Sequence, residues 1–464
     1  MRAPFSRMRS EALNLGGLPI MCSPQLRFHR RHLSGVEMTT ADLTGRPSHV
    51  RWYILALLTG FSLVSYIERI NLSVASRFIR DEFGLTDIQL GWSFSAFLVA
   101  YTAAQIPSGS LADRYGSRNV LAAAALAWFV ITVAMGAYVG WIASSATQVL
   151  ISLIALRVML GVTEAPTFPA GSSAIARWFP SRERGKASAI VQAASYGGEA
   201  LTLVVLAAMV AASGWRAAIF LSAAPALLLA IAWWRLGRSR PEDHAGVNQA
   251  ELDLIRADPG PAVAEQPGGR IMAVVLRRDV SLLSASYFCQ GYVIYLFFFW
   301  FYIYLVDVRG FSIAAGGLVG ALPTVAAAVC AFAGGWVADS AAKRWGTLAG
   351  RKIVIIASAL VGGGLLLGGA VADQAAIAIA CFVGAIGTRG LVESAYWSTV
   401  IDLTGPRAGT AGGAMNMMSN LGGAVSTALA PVLVAQFGWP VALSIAALLT
   451  ALSGLILLAM PHRD

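Results

Sequence analysis

Apolar runs of about 20 residues recur from Trp52 to Met460, separated by short polar connections. That is the length an α-helix needs to cross a hydrocarbon layer of about 30 Å. Inside lipid every backbone N–H and C=O must be satisfied within the segment itself, so runs of this kind fold as helices. The pattern predicts spans near 52–74, 90–112, 119–140, 148–170, 186–211 and 216–235. A second set is predicted near 281–306, 313–338, 352–371, 375–398, 408–435 and 440–460. The expected fold class is an all-α membrane protein with twelve transmembrane helices in two six-helix halves. Composition agrees: 12% of residues are charged, about half the share usual in a soluble domain.

The expected organisation is a disordered cytoplasmic tail over 1–49, a first half over 50–235, a cytoplasmic linker over 236–280 and a second half over 281–464. The tail is polar and arginine-rich, and Met38 is an alternative start. The linker contains Pro241, Pro259, Pro261 and Pro267. Two equal sets of spans are the layout of carriers built from repeats packed around a central site.

Of the 34 Lys and Arg residues, nineteen fall in the even-numbered connections, the linker and the C-terminus, and eight in the tail through Arg51. Four fall in the odd-numbered connections and three inside spans. By the positive-inside rule both termini face the cytoplasm. The net charge of +10 is therefore topological, and no nucleic-acid partner is expected. Cys289, Cys330 and Cys381 sit in apolar runs without metal-ligand spacing, and Cys22 sits in the tail. Neither a disulfide framework nor a metal site is indicated. All five histidines lie outside the spans, and there is no nucleophile–base pairing or phosphate-binding loop. An enzyme is not expected, nor a cofactor.

Ionisable side chains inside a bilayer are expensive and mark function by default. Seven occur: Glu68, Arg69, Arg157, Glu164, Glu199, Arg389 and Glu393. Arg157 and Glu164 lie seven residues apart, so they project from nearly one helix face, with Gly161 between them. Pro166 and Pro169 then disturb the helix. Glu68 and Arg69 are adjacent and point about 100° apart, so one can face a cavity while the other pairs with a neighbouring helix. Arg389 and Glu393 are one turn apart; an internal ion pair and a part in substrate selection both fit. The role of Glu199 is left open. A guanidinium is always charged, and its planar fork matches a carboxylate. The expected substrate is a small organic anion, with protons as the coupling ion and the lipid bilayer as solvent. Glu68 and Glu164 would take up protons and free Arg69 and Arg157 to bind the anion. The alternative is an efflux carrier for lipophilic or cationic compounds, which would have no need of several internal arginines.

Three motifs point to a family. The second connection reads Gly109-Ser-Leu-Ala-Asp113-Arg114-Tyr-Gly116-Ser-Arg118, and Gly335-Trp-Val-Ala-Asp339 echoes it six spans later. This resembles the signature loop of the major facilitator superfamily. Tyr66-Ile-Glu68-Arg69-Ile-Asn71 and Trp178-Phe179-Pro180-Ser-Arg182-Glu183-Arg184-Gly185 resemble the anion:cation symporter family, which includes sugar-acid and phthalate-type permeases. The resemblance implies substrate binding by Arg69, Arg157, Tyr66, Tyr101, Tyr292, Trp397 and Asn420. It implies proton coupling by Glu68 and Glu164, and gating by Asp113, Arg114 and Arg118. Sugar-acid permeases of that family have an Asp-Arg pair where Glu68-Arg69 stands, and a glutamine where Ser195 stands. The first departure bears on the position and coupling role of the acid, and the second weakens the case for a polyhydroxylated substrate; the expected substrate is a sugar acid or another carboxylate. A monomer in a bacterial inner membrane is expected, the latter from alanine- and arginine-rich usage with few lysines.

Overall fold

The computed structural model describes residues 46–143, 145–257, 271–404 and 408–460. The tail through Gly45, with Cys22 and Met38, and the linker prolines 259, 261 and 267 lie outside the described residues. The described residues are almost wholly helical: α1 Val50–Phe83, α2 Asp87–Trp141, α3 Ala146–Glu164, α4 Thr167–Trp178, α5 Ser181–Leu236, α6 Gln249–Arg256, α7 Ile271–Val275, α8 Arg278–Ile303, α9 Ile313–Trp345, α10 Thr347–Val371, α11 Ala375–Thr404 and α12 Ala408–Ile456. A π-helical turn, Tyr304–Val308, extends α8. Local signals set several starts. Thr86 with Gln89, and Ser145 with Gln148, form reciprocal capping boxes ahead of α2 and α3.

Twelve spans are expected, whereas nine helices among the described residues are long and apolar enough to cross a membrane. Helices α2, α5 and α12 hold 55, 56 and 49 residues. At 1.5 Å per residue each is more than twice as long as a bilayer core is thick, about 30 Å. Each contains a glycine with left-handed φ: Gly116 (79°), Gly214 (80°) and Gly438 (80°). At Gly214 and Gly438 the helix is broken by a kink. These are the places where separate runs are expected to meet.

Helices α1 to α5 pack chiefly on one another, as do α8 to α12, and the two groups meet along α5–α9, α2–α12 and α1–α8. Absent side chains allow the closest approaches. A Cβ on Gly198 would come within 2.4 Å of the Leu63 carbonyl oxygen, and one on Gly422 within 2.1 Å of that of Phe288. These are the α1–α5 contact and its α8–α12 counterpart. Gly161 against Phe97 (2.4 Å) and Gly390 against Ala327 (2.2 Å) make the same correspondence between α2–α3 and α9–α11. Many large apolar residues, Phe332, Val371 and Leu448 among them, point outward and exposed. That is the arrangement lipid requires.

The two groups are closed at one end and separated at the other. Near the α1–α2 and α8–α9 connections, Asp307 bonds Arg77 (2.5 Å) and Arg80 (2.9 Å), and Arg80 also bonds Asp87 (2.8 Å). Ser73 donates to the Phe299 carbonyl at 2.8 Å. Gly91 and Gly317 allow contact with the carbonyls of Thr427 and Leu203. At the opposite end a groove of about 520 Å³ runs between α5, α9 and α11, bordered by Gln192, Phe332 and Trp397. Beside it, α6 docks on the start of α1. Its buried Glu251 accepts hydrogen bonds from Ser48 Oγ, from the backbone N–H groups of Val50 and Arg51, and from the Arg51 guanidinium. Burial pushes this carboxyl up, but the donors outweigh it and hold it below the ordinary carboxylate range.

Candidate functional site

The centre of the molecule holds a buried ion pair between α1 and α3. Arg69 Nη2 lies 2.6 Å from Glu164 Oε2, and Arg69 Nε donates to the same oxygen at 3.2 Å. Glu164 is the last residue of α3, where Ala165 and Pro166 turn the chain into α4. Both side chains are almost wholly shielded. The guanidinium of Arg69 lies over the rings of Tyr66 (4.8 Å) and Tyr101 (4.7 Å). Its Nη1 donates to Tyr295 Oη on α8 at 3.2 Å, and Tyr295 donates to Asn420 Oδ1 on α12 at 2.7 Å. Arg69 thus joins the two helix groups. Glu164 Oε1 has no hydrogen-bond partner among the described residues.

Glu68 points the other way, as the 100° offset requires. Its Oε2 accepts from Thr132 on α2 and from Asn71 Nδ2 at 3.1 Å, and Asn71 donates on to Ser222 at 3.2 Å. Arg157 is fully buried and turns to backbone. Its Nη1 and Nη2 donate to the carbonyls of Glu68 (3.2 Å) and Arg69 (3.0 Å). It therefore holds the stretch of α1 that carries the other two charges. The partner of Glu164 is Arg69, although Arg157 shares its helix face.

Beside the ion pair, behind Tyr66 and Tyr295, lies a small cavity of about 80 Å³. Tyr66 and Tyr196 line it from the first group, and Tyr295, Arg389, Glu393 and Asn420 from the second. It shares Gln192, Tyr196 and Glu393 with the groove, so the two spaces adjoin. Trp397 borders the groove, with its indole N–H on Glu393 Oε1 at 3.1 Å. Tyr292 is buried, and its hydroxyl has no hydrogen-bond partner among the described residues.

Of the loop residues expected to gate, Arg118 donates to the Trp234 carbonyl at 2.7 Å and stacks over that ring at 4.9 Å. Arg114 is exposed beside Tyr115. The side chain of Asp113 lies outside the described residues. Gly116 allows the close approach of Ser239, whose hydroxyl accepts from the Arg118 N–H at 3.2 Å. These contacts fasten the loop to the end of α5.

Sequence reasoning missed Tyr295, Thr132 and Gln192. Tyr295 lies three residues after Tyr292 on the same helix, so the helical period carried the signal. Thr132 and Gln192 are ordinary residues for their spans and carried none.

The family model described as Major Facilitator Superfamily matches residues 56–427. The chain is 31% identical over 401 residues to the probable galactarate/D-glucarate transporter of Bacillus subtilis, covering 83% of this chain and 86% of that protein. It is 33% identical over 393 residues to the probable sulfoacetate transporter of Cupriavidus necator, with 84% and 88% covered. It is 30% identical over 433 residues to the D-galactonate transporter of Escherichia coli, with 90% and 98% covered. Among solved structures, a D-xylose-proton symporter superposes with a TM-score of 0.71 at 17% identity, covering 89% of this chain and 98% of that one. That likeness concerns the fold alone.

Proposed function

The chain belongs to the Major Facilitator Superfamily, and we propose that it takes up a small organic anion by proton symport, through alternating access of one central site. It is a multi-pass membrane transporter, not an enzyme. We read twelve crossings, with Gly116, Gly214 and Gly438 each dividing a long helix into two, and both termini in the cytoplasm. Six-helix halves over 50–235 and 281–464 then correspond to the two packed groups. The groove faces the cytoplasm, and the Asp307 cluster closes the outer side.

The observation that carries the reading is the buried Arg69–Glu164 pair, bonded across the halves through Tyr295. An uncompensated charge here is costly, so the arginine needs an anion in each state. Glu164 supplies it in the empty carrier. Protonation of Glu164 frees the guanidinium for a substrate carboxylate, with Tyr66, Tyr101, Tyr295 and Asn420 around it. Arg157 positions the α1 backbone, and Glu68 is a second proton-accepting acid behind it. Asp113, Arg114 and Arg118 act in gating the cytoplasmic end. The acids named for the three relatives, galactarate or D-glucarate, sulfoacetate and D-galactonate, are all small organic anions, which supports the class.

The test is binding of a panel of organic acids to the purified carrier, by calorimetry. Arg69→Gln is expected to weaken the bound acid by about 10- to 100-fold, the worth of a charge-assisted hydrogen bond of about 1.5–3 kcal/mol. Unchanged affinity would remove Arg69 from the site.

A further inference from the structure

A second buried ion pair, Arg389 with Glu393 on α11, faces the same cavity. Arg389 Nη1 lies 2.6 Å from Glu393 Oε2. Glu393 Oε1 accepts from Tyr287 Oη at 2.6 Å and from Trp397 Nε1 at 3.1 Å. Arg389 is only 9% exposed, and its Nε is buried without a hydrogen-bond partner among the described residues. Both residues line the central cavity, as do Tyr66 and Tyr295, which touch Arg69.

Position makes the pair more than a helix brace. Glu164 stands three residues after Gly161, and Glu393 three residues after Gly390. Each of these glycines brings its helix against a carbonyl of the corresponding neighbour, Phe97 on α2 and Ala327 on α9. The two acids therefore occupy equivalent places in the two helix groups, and each is bonded to an arginine at 2.6 Å. As a brace, an i,i+4 pair contributes little, and taking its two charges out of water costs more than that. Helix stability does not account for its presence. A cavity lined by Arg389, with Arg69 held behind its Tyr66 and Tyr295 wall and each guanidinium neutralised by its own acid, is suited to two anionic groups.

We propose that Arg389 binds a second anionic group, so that the carrier prefers short dianions over monoacids of the same skeleton. The class is dicarboxylates, or carboxylates that also bear a sulfonate. This rests on the organic-anion reading above and narrows it. Glu393 stands to Arg389 as Glu164 stands to Arg69, as the internal anion that substrate displaces.

The experiment compares matched acids on the full-length carrier: a six-carbon aldarate against the aldonate, and succinate against butyrate. In the wild-type protein the diacid of the pair that binds is expected to be favoured by about tenfold or more, that is about 1.4 kcal/mol. Arg389→Gln should abolish that preference and leave the monoacid within about threefold of its wild-type affinity, a change under 1 kcal/mol. Equal affinity for diacid and monoacid in the wild type overturns the two-ended site and leaves anion transport standing. Equal weakening of both acids by Arg389→Gln also overturns it. Binding of no acid by the wild type overturns both readings. Should Arg389→Gln fail to fold, the wild-type comparison decides alone.

Discussion

At the scale of single residues, the proposed site is a set of buried charges that satisfy one another. Glu164 is the member whose protonation is proposed to change the balance, because among the described residues it alone gives Arg69 a carboxylate. Glu164→Gln removes that competitor without removing volume. The account predicts that binding of the acid, which in the wild type strengthens as pH falls and Glu164 is protonated, becomes nearly independent of pH between 5 and 8 in this variant. Calorimetric titration across that range checks it, and a pH profile like that of the wild type would move the coupling to another acid. The pattern of residues made part of this legible. Adjacent Glu68 and Arg69 were bound to diverge on a helix, and they do. The partner of Glu164 was not legible. Arg157 shares its helix face, but which helix supplies the guanidinium depends on how α1 and α3 meet, and no local period encodes that. Tyr292 and Tyr295 differ likewise: the helical period puts both in reach, and only packing decides that Tyr295 meets Arg69.

At the scale of elements, the length of the apolar runs made the helices plain, and the glycines decide how they join and touch. Left-handed φ at Gly116, Gly214 and Gly438 is a backbone state that favours glycine. A run-by-run reading sees breaks there, and at Gly214 and Gly438 the backbone does leave the helical conformation and kink. Gly161 tests the packing claim. A Cβ there meets the Phe97 carbonyl at 2.4 Å and the Tyr101 N–H group at 3.0 Å, whereas one on Gly171 meets nothing within 4 Å. Gly161→Ala should destabilise the protein by about 1–3 kcal/mol through overpacking. Gly171→Ala should be neutral or stabilising by up to about 1 kcal/mol, since alanine is the better helix former. Thermal unfolding in detergent reads both. Equal midpoints for the two variants would show that the α2–α3 contact is looser than described.

At the scale of the whole molecule, the two helix groups are closed on one another at one end only, which the proposed alternating access reads as one of its two states. Closure depends on the Asp307 cluster and on glycine contacts at one end, with the groove open at the other. The same helix contacts recur in both groups, as the proposed rocking of two halves requires. That recurrence also explains why an echo of the Asp113 loop at Asp339 was readable from residues alone. Which end is closed was not readable, because the state depends on the balance between two sets of contacts and on no single motif.

The most direct measurement is uptake of a labelled organic acid into proteoliposomes holding the full-length carrier, under an inward proton gradient. The account predicts accumulation of an acid that ceases when the gradient is collapsed. Accumulation indifferent to the gradient, or transport of lipophilic cations with no acid carried, would contradict it.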